Sequence, residues 1–99
     1  MADGFEMTGG EAGCALAAVT LDAGAESEPL RAACEAGFEL WLSCLERRVI
    51  TAGRKPAEAA DDAILILSAI EGALVLARAR RDAEPLRAVA RRLRRTLAA

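Results

Sequence analysis

Residues 63–77 read Ala63-Ile-Leu-Ile-Leu-Ser-Ala-Ile-Glu-Gly-Ala-Leu-Val-Leu-Ala77 and form the centre of a helix expected over Ala57–Arg81. At 100° per residue, Ile64, Leu67 and Leu74 fall on one side, Leu65, Ala69 and Leu76 on a second, and Ile66, Ile70 and Ala77 on a third. A surface helix needs only one apolar stripe, so a helix apolar all round has to be covered all round. A chain of 99 residues has few other helices to do this. The expectation is that a second copy of the chain supplies part of the cover.

Working outward, the composition fits a single helical domain with a modest core. Hydrophobic residues are 54% of the chain and aromatics only 3%, which excludes global disorder and favours an Ala-, Leu-, Arg- and Glu-rich all-α fold. The net charge of −2 hides a split. Residues 1–46 carry nine acids and one base, Arg31, while residues 78–95 carry eight arginines against Asp82 and Glu84. Cys14, Cys34 and Cys44 are an odd number, and there is no histidine. That set is neither a disulfide framework nor a zinc site, and reads as buried reduced thiols. No signal peptide is visible, and the 63–77 run is too short for a membrane span and is interrupted by Glu71. A cytoplasmic protein with no membrane association is expected.

The helices follow from caps and stripes. Residues 1–10 contain three glycines and no periodicity, and read as a flexible lead-in to a helical domain over 11–99. Glu11–Ala23 is a short helix with Leu16, Val19 and Cys14 on its apolar side, stopped at Gly24. Ser27-Glu-Pro-Leu opens a long one, with Ser27 as cap and Pro29 in the first turn. Its stripe is Leu30, Cys34, Phe38, Trp41, Leu45 and Val49, and Gly53 ends it. Pro56 starts the third helix, with Glu58, Asp61 and Asp62 at its positive pole and Arg78, Arg80 and Arg81 at the other. Asp82 caps a fourth helix with the stripe Leu86, Val89, Ala90, Leu93, Leu97.

Signals for catalysis are poor. There is no histidine for acid–base work, no Gly-rich phosphate loop and no metal-ligand cluster, so neither an enzyme nor a cofactor or metal site is expected. Glu71 is the exception in kind, a carboxylate among apolar residues. It calls either for an ion pair, with Arg78 two turns along or with an arginine of another helix, or for a place at the edge of a ligand pocket. Ser68 and Gly72 form a small-xxx-small pair that would admit another helix closely, from a second subunit or from within the chain. Phe38 and Trp41 are ordinary core aromatics by spacing, but facing alanines they could border a void able to hold a small molecule. The arginines of the fourth helix lack interleaved aromatics and a recognition helix. They read as a solvated face, with nucleic-acid binding as the weaker reading.

Several segments, in order, resemble the C-terminal regulatory domain of TetR-family repressors in the LmrA/YxaF-like subgroup. They are Gly13-Cys14 before an Ala-rich helix, Ser27-Glu-Pro-Leu-Arg31 before a long helix with Trp41, Ala69-Ile-Glu-Gly-Ala-Leu-Val-Leu-Ala-Arg78, and Arg81-Asp-Ala-Glu-Pro-Leu-Arg-Ala-Val-Ala90. The resemblance runs from about Gly10 to the end. It implies a small-molecule pocket and a dimer in which the last two helices of each copy form an intersubunit four-helix bundle. It also implies an N-terminal helix-turn-helix domain that binds operator DNA. Residues 1–10 do not supply that domain, so the chain is expected to be a fragment or a stand-alone regulatory domain.

The combined expectation is an all-α chain of four antiparallel helices that binds an effector and dimerises. Dimer contacts are expected at Ser68, Gly72, Leu76, Val89, Leu93 and Leu97. A small apolar or aromatic ligand is expected at Cys14, Phe38, Trp41, Leu45, Leu67 and Glu71. A helical-bundle interaction module without a ligand is the alternative.

Overall fold

The computed structural model describes residues 15–23 and 26–98. Among them are four α-helices and no strand: α1 (Ala15–Ala23), α2 (Glu28–Thr51), α3 (Ala59–Arg80) and α4 (Glu84–Ala98), with a 3-10 turn at Pro56–Glu58 before α3. The chain is all-α, as its composition and stripes require. The expected lead-in at residues 1–10, the start of the first helix before Ala15 and the stop at Gly24 lie outside the described residues. Among the described residues no helix is long and apolar enough to cross a membrane.

The chain divides into two compact units, whose boundary falls between Ile64 and Leu65, inside α3. In the unit of residues 14–64, Ser27 caps α2: its backbone is extended and its hydroxyl accepts the Leu30 N–H at 3.3 Å. Arg31 reaches back to Glu28 and forward to Glu35, both at 2.7 Å, and holds the first turn on its exposed side. Helix α1 lies against α2 at Gly37. A Cβ there would sit 2.8 Å from Leu16 Cδ1, so the glycine is the notch that admits Leu16. The α2 stripe is buried at Cys34 and Val49 and half-buried at Phe38 and Leu45, but Leu30 and Trp41 remain exposed. At its end the Arg54 N–H bonds the Val49 carbonyl at 2.9 Å across Gly53, whose φ is +106°. That conformation is where glycine is required.

The turn into α3 is locked by charge. Arg54 Nε and Nη2 donate to the two oxygens of Asp62 at 2.9 and 3.2 Å, and Nη2 lies 3.6 Å from Glu58. Asp62 is buried, and the two-pronged pairing supplies the partner that burial demands.

In the unit containing residues 65–99, α4 follows α3 after a short turn, and the two helices border one groove. The turn begins at Arg81, whose φ is +53°, with the Asp82 N–H on the Ala77 carbonyl at 3.1 Å. The side chain of Asp82 accepts the Glu84 N–H at 3.1 Å. The helix expected to start at Asp82 instead starts at Glu84, with Ala83 at the cap position, where its carbonyl accepts from Leu86 and Arg87, because Arg81 takes the left-handed step and ends α3 at Arg80. Ala73, Leu74, Ala77, Ala83 and Leu86 are buried in this unit.

Candidate functional site

Helix α3 is not wrapped on all sides. Leu65, Val75 and Leu76 are 46%, 64% and 53% exposed, and Ser68 and Gly72 are exposed between them. With the helical repeat, these five share one face opposite Ala73 and Ala77. A Cβ built at Gly72 meets nothing within 4 Å, so among the described residues no helix uses the close approach that glycine permits. The intrachain version of the Ser68/Gly72 contact is therefore not what the structure contains. The close glycine contact inside the chain is at Gly37 instead, a position that the periodicity of α2 did not single out.

Val89, Leu93 and Leu97 lie elsewhere. They line a groove of about 670 Å³ bordered by α3 and α4, with Leu86 on α4 and with Ile66 and Ile70 on α3. Its floor is almost wholly aliphatic. Arg87, Arg91 and Arg94 stand at one edge, at spacings of four and three on one flank of α4. Glu84 sits at the end of this arginine row, 2.7 Å from Arg91 and 3.8 Å from Arg87. The expected α4 stripe is thus buried at Leu86, half-buried at Val89, Leu93 and Leu97, and exposed at Ala90. The six expected dimer residues fall in two places: Ser68, Gly72 and Leu76 on the open face of α3, and Val89, Leu93 and Leu97 in the groove.

The expected effector residues are distributed over both units. Phe38 and Trp41 meet edge to face, with ring centroids 6.4 Å apart at 87°, and half-buried Leu45 follows them on α2. Leu67 and Glu71 are on α3, in the unit of residues 65–99, and Cys14 lies outside the described residues. Among the described residues Glu71 Oε1 is buried without a hydrogen-bond partner, and the ion pair considered with Arg78 does not form. Arg78 is exposed in the last turn of α3 instead. A buried acceptor with no donor is a place where a donor group of a ligand or a partner would gain most.

Of the thiols, Cys34 is buried and Cys44 is exposed, both free. The expectation of burial fails at Cys44 because it lies off the α2 stripe, where its sulfur accepts from Arg47 Nη2 at 3.3 Å.

The profile of one protein family, described as transcriptional regulator LmrA/YxaF-like, C-terminal domain, matches residues 1–92. HTH-type transcriptional regulators from two strains of Mycobacterium tuberculosis are each 42% identical over 93 residues, covering 89% of this chain and 48% of the relative. The chain spans about half the length of the curated relatives it matches. No solved structure matches it.

Proposed function

The chain belongs to the LmrA/YxaF-like family of TetR-type transcriptional-regulator C-terminal domains, and on that premise we propose that it is the effector-binding and dimerisation domain of a repressor. The dimer contact is the open face of α3, with Ser68 and Gly72 allowing two helices to approach and Leu65, Val75 and Leu76 supplying apolar surface. Val89, Leu93 and Leu97 of α4 complete the four-helix bundle. The observation that carries this reading is the empty space over Gly72 in the middle of an apolar face. The effector is a small apolar or aromatic molecule, for which Phe38, Trp41 and Leu45 of the 14–64 unit are the proposed contacts. A ligand preferring one spacing of the helices shifts the population toward a conformation with lower operator affinity. Operator contact belongs to a helix-turn-helix domain of the kind named in the relatives, and the protein acts in the cytoplasm without catalysing a reaction.

Replacing Gly72 with Leu tests the dimer. A Cβ at position 72 meets nothing within 4 Å, and leucine favours the helix by about 1 kcal/mol over glycine, so the helix should be retained. Sedimentation should report a dimer for the parent chain and a monomer for Gly72→Leu. An unchanged dimer mass would remove Gly72 from the contact.

The alternative is an interaction module without an effector, favoured by the fact that the open face of α3 needs only another helix. Trp41 is partly exposed and reports on the difference. Quenching of its fluorescence by apolar or aromatic compounds supports the effector reading, and no response across a diverse set supports the plain module.

A further inference from the structure

Helix α4 has two opposite sides, and only one of them belongs to the proposed bundle. At 100° per residue, Leu86, Val89, Leu93 and Leu97 share one side. Arg91 and Arg95 centre the other, with Arg92 on one shoulder and Arg87 and Arg94 on the second. All five arginines are exposed. Glu84, the one acid of α4, engages Arg91 at 2.7 Å and Arg87 at 3.8 Å. Arg92, Arg94 and Arg95 have no partner among the described residues. A second copy seated on the apolar side leaves the centre of the arginine side in solvent, so this surface stays open in a monomer and in a dimer.

What it can hold follows from what accompanies the arginines. Ala88 and Ala98 are the only apolar residues among them, so nothing is there to insert into a lipid surface or to anchor a folded acidic partner. No aromatic side chain offers a platform on which unpaired bases could stack. Guanidinium groups alone remain, and their paired N–H donors match phosphate oxygens. They recur over about 12 Å of helix axis, a length in which one strand of a duplex presents about three or four phosphates. The chain as a whole carries −2, with nine acids against one base in residues 1–46, so its total charge repels a polyanion and any attraction is local to such a surface.

We propose that the arginine side of α4 is a docking surface for the phosphate backbone of a nucleic-acid duplex. It takes the duplex by charge and spacing and does not read its sequence, because contacts to phosphate position a protein without discriminating bases.

Fluorescence anisotropy of the whole chain with a labelled, random-sequence duplex of about twenty base pairs should show saturable binding at low salt. Three to five phosphate contacts give a slope of log affinity against log salt of about −3 to −4.5. Arg92→Gln/Arg95→Gln, changed only at exposed and unpaired positions, should keep its helical circular dichroism, bind about tenfold more weakly and flatten the slope by about 2. Arg47→Gln/Arg48→Gln removes the same charge from α2 and should leave both affinity and slope unchanged. No binding by the parent chain, no loss in the α4 variant, or an equal loss in the α2 variant would overturn the surface. A single strand of the same sequence should bind no more tightly than the duplex, and poly-glutamate and phosphatidylserine vesicles more weakly. A tighter single strand would mean base stacking, and an equal or tighter poly-glutamate or vesicle would mean an acidic protein or a membrane, and each would overturn the duplex assignment. Gly72→Leu should show the parent slope, so a failed dimer reading leaves this surface standing.

Discussion

Single residues set the ends of these helices, and their backbone angles say what each replacement costs. Gly53 has φ +106° with open space where a Cβ would go, so Gly53→Ala should cost about 1–2 kcal/mol from backbone strain alone, read as a lower denaturant midpoint. Arg81 takes the same kind of step with a side chain that does not want it. Arg81→Gly should stabilise the turn by about 1 kcal/mol, and a fall in thermal midpoint would contradict the assignment. Hydrogen bonds and charge from Arg31 hold the Glu28 carboxyl below its ordinary value of 4.5. A lowered folded-state value stabilises the fold at pH well above 4.5, and the contribution is lost as the pH falls through the folded-state value. The Glu28 titration midpoint, followed by NMR, should move back up in Arg31→Ala. Ser27 and Gly53 were legible in the sequence because a cap hydroxyl and a glycine name their own roles. Arg81 was not, since nothing in arginine asks for a positive φ.

At the scale of elements, apolar periodicity located α2 and α4, and the Ser27 cap located the start of α2. It did not locate the contacts. Leu16 enters α2 at Gly37, where the absence of a side chain is the signal, and a stripe of large residues cannot show a notch. Trp41 belongs to the α2 stripe by spacing yet stays exposed, because no described element covers that part of the helix. Asp62 was legible only as a charge at the helix start. Its pairing with Arg54 across the turn needs the turn's geometry, which sequence spacing does not give. Asp62→Ala leaves Arg54 without its closest partner at the α2–α3 turn and should lower the thermal midpoint by more than Glu28→Gln, whose carboxylate is fully exposed. An equal change in both would mean that the turn is held by backbone alone.

For the whole molecule the deciding fact is what is buried. The described core is mostly alanine, with Cys34, Val49, Leu74 and Leu86, while ten large hydrophobic residues are exposed. An apolar-all-round α3 was readable from residues 63–77, and the structure leaves one of its faces open. Which residues form the effector site was not readable, since that depends on how separate elements meet. The energetics of pairing follow from the open face. Covering half-exposed Leu65, Val75 and Leu76 on two copies is worth on the order of 5–9 kcal/mol. Association costs about 4–15 kcal/mol in lost rigid-body freedom. The face of α3 alone makes a marginal pair, so the proposed bundle needs Val89, Leu93 and Leu97 as well.

In the proposed dimer a second copy lies on the open face of α3. Isotope-filtered methyl NOE spectroscopy on an equal mixture of labelled and unlabelled chains tests it directly. Intermolecular NOEs are expected to join the methyl groups of Leu65, Val75 and Leu76 on one chain to α3 of the other. A mixture in which these methyls show only intramolecular NOEs, at a concentration where sedimentation finds a dimer, would place the interface elsewhere and contradict it.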